Sequence, residues 1–172
     1  MRSSSGTAGD DHGASPPAFE LKVASERDTL DRIASLPRPL VFTNGVFDIL
    51  HRGHVTYLDA ARRLGAALVV AVNTDASVRR LGKGDDRPVN ALADRLAVLA
   101  ALSAVDLVVP FDADTPRDLI RACRPDVLVK GGDYSAATTA GADEVIAAGG
   151  RFVAIPLTRD RSTSALIRRI RR

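Results

Sequence analysis

Two of the chain's three histidines, His51 and His54, stand where the apolar run Leu40-Val41-Phe42 gives way, through Thr43-Asn44-Gly45-Val46-Phe47-Asp48, to a helical pattern. A helix N-terminus leaves backbone N–H groups without intrahelical partners, and its macrodipole adds partial positive charge, so anions bind there. Residues three apart share one face of a first helical turn, so the two imidazoles add two donors to that site. Gly53 between them removes a side chain that would keep a ligand off the main chain. A zinc site is the competing chemistry, but zinc wants three or four protein ligands, and only His12 and Cys123 remain to complete one.

Further polar segments follow later apolar runs. Thr43 and Asn44 can bond a base or a phosphate, and Gly45 lets a nucleotide approach the backbone. The loop Leu81-Gly82-Lys83-Gly84-Asp85-Asp86-Arg87-Pro88 sets a lysine between glycines, as in a cationic arm over a phosphate chain. Val129-Lys130-Gly131-Gly132-Asp133-Tyr134 again places charge beside glycines, and Ser162-Thr163-Ser164 opens the last helix as a second anion cradle.

The elements that must carry these segments alternate. Apolar runs at 39–47, 66–73, 106–111, 126–130 and 151–157 lack clean polar alternation, which reads as strands buried on both faces. Helical patterns at 54–64, 91–103, 115–123, 142–148 and 163–171 separate or follow them. The order predicts a single α/β domain: a Rossmann-like, doubly wound, five-stranded parallel sheet with helices on both faces. In such sheets ligands bind beyond the carboxyl ends of the strands, where the polar segments lie. An accessory helix is expected over 26–35 with Leu30, Ile33 and Ala34 as its apolar stripe, and Thr115-Pro116 is expected to cap the helix that follows. Arg95, beside the stripe Leu92, Leu96, Leu99 and Leu102, is expected to pair with a surface carboxylate.

Composition sets the bounds. A chain of 172 residues, 45% hydrophobic and 26% charged, suits one soluble domain over 18–172, with no apolar run long enough for a bilayer. Met1 to Pro17 is rich in Ser, Gly, Ala, Asp and Pro without an apolar core, so it is expected to be a disordered tail rather than a signal peptide. A single cysteine and no signal sequence point to the cytoplasm. Net charge is only +3, and the arginines near the C-terminus lack interleaved aromatics, so neither nucleic acid nor a membrane is the expected partner.

Thr43 to Asp48 with His51-Arg52-Gly53-His54, and Ser162-Thr163-Ser164 near the end, resemble the His-x-Gly-His signature and the Ser-Thr-Thr helix start of the cytidylyltransferase-like nucleotidyltransferases. Asn73 to Ser77, Gly84 to Asn90 and Leu128 to Tyr134 are similar to the heptose 1-phosphate adenylyltransferases of that superfamily, in a stand-alone form. The likeness covers about Arg27 to Ile170; it departs where Ser164 replaces a threonine and Asp94 a glutamate. It implies transfer of AMP from ATP to a heptose 1-phosphate, with Mg2+ on the phosphates and a homodimer as the working form. His51, His54 and Lys83 are then catalytic. Thr43, Asn44, Gly45, Val46, Phe47, Gly53, Arg95, Ser162, Thr163 and Ser164 serve the nucleotide. Arg87, Lys130, Gly131 and Asp133 bound the sugar-phosphate or ribose pocket, with Asp48 orienting a histidine, the metal or the sugar phosphate. A cytidylyltransferase acting on glycerol or ethanolamine phosphate, and a non-catalytic nucleotide-binding module, are the alternatives.

Overall fold

The computed structural model describes residues 17–82, 86–156 and 163–170. Five parallel strands, β1 (Leu40–Gly45), β2 (Ala67–Asn73), β3 (Leu107–Phe111), β4 (Val127–Gly131) and β5 (Arg151–Ile155), form one sheet in the order β3-β2-β1-β4-β5. Helices α1 (Thr29–Ala34), α2 (Arg52–Arg62), α3 (Asp75–Arg80), α4 (Leu92–Ala100), α5 (Arg117–Cys123), α6 (Ala142–Ala147) and α7 (Thr163–Ile170) complete the α/β fold. The expected architecture is present, and its switch point lies between β1 and β4.

Why the central strands read as unbroken apolar runs is visible in β2, all seven residues of which are buried. Leu68, Val70 and Val72 join one core with Val41, Leu58 and Leu99, while Ala67, Val69 and Ala71 join another with Leu40, Phe42 and Leu128. Alternate side chains enter opposite layers, so both faces must be apolar. Register at the amino ends is fixed by carboxylates: Asp126 accepts the Leu40 N–H at 2.5 Å and Asp106 accepts the Leu68 N–H at 2.7 Å. Gly65 is required where the chain enters β2, since a Cβ there would lie 2.3 Å from the Pro39 carbonyl oxygen.

Several expectations are corrected. β5 is a half-exposed edge rather than a doubly buried strand, with Arg151 and Ala154 in solvent. At the other edge Val23 pairs with Val108, and the Ala24 N–H donates to the Val108 carbonyl at 2.9 Å, so residues outside the predicted helices shield β3. Helix α1 starts at Thr29, not 26, because Asp28 accepts the Ser25 N–H at 2.6 Å and hydroxyl at 2.7 Å and holds the preceding turn. Its buried stripe is therefore Thr29 and Ile33, one turn apart, while Leu30 and Ala34 face solvent. Helix α5 begins at Arg117 with no side-chain cap from Thr115, its first bond running from the Ile120 N–H to the Pro116 carbonyl. Cys123, the single cysteine, is buried at the end of that helix, and desolvation pushes its thiol up to about 12. Residues 1–16, most of the expected tail, lie outside the described residues.

Candidate active site

Beyond the carboxyl ends of β1, β2 and β4 lies a cavity of about 570 Å³. Its floor is Asn44, Gly45, Asn73 and Lys130, one wall is Phe47, His54 and Tyr57, and the other carries Thr115, Thr138 and Thr139. This is the crevice at the switch point.

The wall bearing His54 is shaped by a backbone reversal. Phe47 has φ 48°, a left-handed conformation rare for a bulky residue and usually held only by its surroundings. Its ring turns back over Gly45, where a Cβ would lie 3.0 Å from Phe47 Cε2, and its edge meets the His54 ring at a centroid distance of 5.4 Å. His51 is the N-cap of α2, its Nδ1 accepting the Gly53 N–H at 3.1 Å. The two imidazoles stack with centroids 3.9 Å apart. Burial and then the nearby His51 draw the His54 pKa down to about 4, so this ring is neutral at pH 7.

Lys130 reaches across the floor, its Nζ donating to Asn44 Oδ1 at 2.5 Å and to the Asn44 carbonyl at 3.2 Å, with the Tyr134 ring 5.9 Å away. Gly131 also lines the cavity, whereas Asp133 is exposed and not part of the lining. Thr43 is wholly buried beneath the floor, its hydroxyl 2.5 Å from that of Tyr57, so it fixes α2 against β1 rather than facing the cavity. Burial raises the Tyr57 pKa further than that bond lowers it.

Asp48, only 3% exposed, is turned away from the cavity. It accepts Arg87 Nε at 2.5 Å and the N–H groups of Val89 and Asn90 at 2.8 and 2.9 Å. Burial tends to raise its pKa, but the Asn90 and Val89 N–H groups and the Arg87 guanidinium outweigh it and hold the carboxyl below the usual range. Arg87 is thereby committed to Asp48, and the pair clasps 87–90 to the histidine loop.

Arg95 corrects the expectation of a surface pair. It is 2% exposed and donates to the carbonyls of Asn90 at 3.0 Å, Val46 at 2.7 Å and Asn73 at 2.9 Å, and to Asp75 Oδ1 at 2.7 Å. One guanidinium thus joins the segments after β1 and β2 to the 87–90 turn from behind the cavity. The second cradle lies near the first: the Thr163 hydroxyl at the start of α7 donates to the Ile49 carbonyl at 3.3 Å. Lys83 and Ser162, and the side chain of Ser164, lie outside the described residues.

Sequence reasoning missed Tyr57, Tyr134, Thr138 and Thr139. Tyr57 was reachable, since it follows His54 by three positions and shares its helix face. Thr138 and Thr139, at the end of a short 3-10 turn at Ala136–Thr138, carry no motif of their own.

Residues 42–169 match the family model described as Cytidylyltransferase-like. The chain is 61% identical over 155 residues to the D-beta-D-heptose 1-phosphate adenylyltransferase of Bordetella bronchiseptica, covering 89% of this chain and 96% of that protein. It is also 61% identical over 132 residues to the Bifunctional protein HldE of Halorhodospira halophila, covering 77% of this chain but only 28% of that longer protein. Among solved structures, a lipopolysaccharide core biosynthesis protein from Thermoplasma volcanium superposes with a TM-score of 0.58 at 27% identity, covering 71% of this chain and 98% of that one. A pantothenate synthetase from Thermus thermophilus, at 21% identity, a TM-score of 0.57 and coverage of 80% of this chain and 62% of its own, shares the fold. On the family match, the 61% identity along nearly the whole Bordetella protein and the parallel sheet with its paired histidines, the chain belongs to the cytidylyltransferase-like family.

Proposed function

We propose that the chain is a heptose 1-phosphate adenylyltransferase, joining ATP and D-glycero-D-manno-heptose 1-phosphate to give ADP-heptose and pyrophosphate. The observation that carries this reading is the 61% identity, along 96% of its length, to a relative named for that activity. The site geometry supports it. A phosphate oxygen of the sugar ester attacks the α-phosphorus in line, a new P–O bond forms, and the bond to the β-phosphate oxygen breaks as pyrophosphate leaves. The attacking monoester has a second pKa of about 6, so it is anionic at neutral pH and requires no general base.

The difficulty is bringing two anions together, which at about 4 Å repel by roughly 1 kcal/mol per charge pair in water and several-fold more when partly desolvated. Catalysis then consists of positioning and charge stabilisation. His51 and His54 donate to the α- and β-phosphates, Lys83 follows the phosphate chain, and Ser162, Thr163 and Ser164 with the α7 N–H groups hold the β- and γ-phosphates. Asn44, Gly45, Val46, Phe47 and Gly53 shape the nucleotide side, with Thr43 and Arg95 supporting it from behind. Lys130 and Gly131 bound the sugar-phosphate or ribose side, while Asp133, outside the lining, is left to accept from sugar hydroxyls at the mouth. Asp48 and Arg87 serve it by holding 87–90 in place.

Among the described residues, no three His, Cys, Asp or Glu side chains are grouped to hold a metal ion. A Mg2+ ion would then be brought by the nucleotide rather than held by a protein cage, and would supply neutralisation of charge on the transferring group. No helix among the described residues is long and apolar enough to cross a membrane. We place the enzyme in the cytoplasm, acting as a homodimer on small-molecule substrates.

Pyrophosphate release measured with ATP, CTP, GTP and UTP against heptose 1-phosphate, glycerol phosphate and ethanolamine phosphate tests the reading. Turnover is expected with ATP and the heptose ester. Turnover only with CTP and an alcohol phosphate, or nucleotide binding without product from any acceptor, would overturn it.

A further inference from the structure

Asn73, the last residue of β2, is only 4% exposed, yet its side chain forms part of the cavity floor. A buried carboxamide has donor hydrogens at one end and an acceptor oxygen at the other, and what holds one end decides which end faces the cavity. Asn73 Nδ2 donates to Ser77 Oγ at 2.9 Å, four positions on in α3. The buried Ser77 hydroxyl spends its own hydrogen on the Ala113 carbonyl at 3.1 Å, so toward Asn73 it acts as an acceptor.

The anchor is itself held. The Ser77 N–H donates to the Thr74 hydroxyl at 3.1 Å, and that hydroxyl donates to Asp112. Arg95 fixes the main chain of Asn73 by donating to its carbonyl at 2.9 Å. The bonds run one way, from the amide nitrogen through Ser77 to Ala113. They leave Oδ1 as the end of the amide without a hydrogen bond among the described residues, on a side chain that lines the cavity.

A preorganised acceptor repels phosphate oxygens and calls for a donor, and filling the cavity without one would cost its desolvation. The neighbouring wall has the same preference. Leu81, Asp114, Thr115 and Pro116 line the cavity from beyond α3 and β3, and the charged group among them is a carboxylate. The lysine of the lining, Lys130, belongs to β4, two strands away from β2. The cavity is therefore polarised, with a cation on its β4 side and acceptors on its β2 and β3 side.

We infer that Asn73 determines acceptor specificity: its Oδ1 takes a hydrogen bond from a hydroxyl of the heptose, and Ser77 keeps that oxygen turned toward the cavity. A substrate without a hydroxyl at that point leaves Oδ1 unmatched and is selected against. The inference rests on the heptose adenylyltransferase reading.

The test is pyrophosphate release with ATP by the full chain, using heptose 1-phosphate and its monodeoxy analogues. Wild type is compared with Asn73→Leu and with Asn73→Ser, a smaller change that serves should the first not fold. In the wild type, one analogue is expected to lose about ten-fold or more in kcat/KM. Either variant should lose about as much on the parent ester, chiefly through its KM, and should no longer distinguish that analogue from the parent. The KM for ATP should change by less than about two-fold. A purely structural role would instead weaken every ester alike and keep the wild-type discrimination, which would overturn the inference. A raised KM for ATP with that for the ester unchanged would also overturn it and give Oδ1 to the nucleotide. Absence of wild-type turnover with the parent ester would defeat the functional reading, and this inference with it.

Discussion

Arg95 and Asp75 meet at 2.7 Å, the arginine side chain entirely removed from solvent and the aspartate 31% exposed. The same guanidinium holds three carbonyls that end three separate segments. Arg95→Ala would leave those acceptors and the carboxylate unmatched, and breaking a buried pair from one side costs about 3–5 kcal/mol. Arg95→Lys should recover only part, because one ammonium cannot span the same acceptors. Urea denaturation of both variants checks this; a loss below about 1 kcal/mol for Arg95→Ala, the size of a surface pair, would contradict it.

Asp48 should shape the acid limb of stability. Its carboxyl lies below the ordinary value of 3.8 in the folded chain, so its contribution is full above that value and is lost as pH falls through the lower folded one. Asp48→Asn is expected to be less stable at pH 7 and to lose less on acidification from pH 5 to 3. Urea midpoints for both proteins across that range provide the comparison.

His54 acts in a higher window. The unfolded imidazole takes up its proton near 6.5, whereas the folded one does so at about 4, so stability contributed by the neutral ring is present above 6.5 and declines as pH falls toward 4. His54→Gln should flatten the wild-type decline between those limits and leave the limb below them, where Asp48 titrates, unchanged. An unaltered slope across the upper window would show that the ring is not held neutral.

On the rate side, removing one preorganised donor to developing phosphate charge typically slows turnover about 10²- to 10³-fold. His54→Ala and Lys83→Ala are each expected to show this in kcat for pyrophosphate release, with folding retained by circular dichroism. Losses of ten-fold or less in both would count against these roles.

Losing the hydroxyl contact between Tyr57 and Thr43 is a subtler change. Tyr57→Phe removes the only polar atom of that side chain and should destabilise the fold by about 1 kcal/mol. Because α2 carries His54, a rise in KM for ATP should accompany it if the helix shifts. Thermal unfolding and steady-state kinetics on the same preparation read both effects.

The alternation of strands and helices and the histidine loop were legible because they rest on local pattern: apolar runs of strand length, and a paired motif at a strand-to-helix junction. Arg95 was not. Its neighbours in sequence are a leucine stripe, and what makes it a buried hub is the convergence of Val46, Asn73 and Asn90, residues up to 49 positions away. Asp48 was expected to orient a histidine, the metal or the sugar phosphate; that it turns instead to hold 87–90 follows only from how that turn packs. The shield over β3 was missed because Val23 pairs through its backbone, which leaves no side-chain signature.

The burial of Cys123 makes the native protein almost inert toward thiol-directed reagents, since at pH 8 a group ionising near 12 offers a negligible thiolate fraction. A second cysteine introduced at exposed Ala137, next to the cavity-lining Thr138, could therefore carry a fluorophore or spin label without first deleting the natural one, giving a single reporter beside the cavity for following ligand arrival.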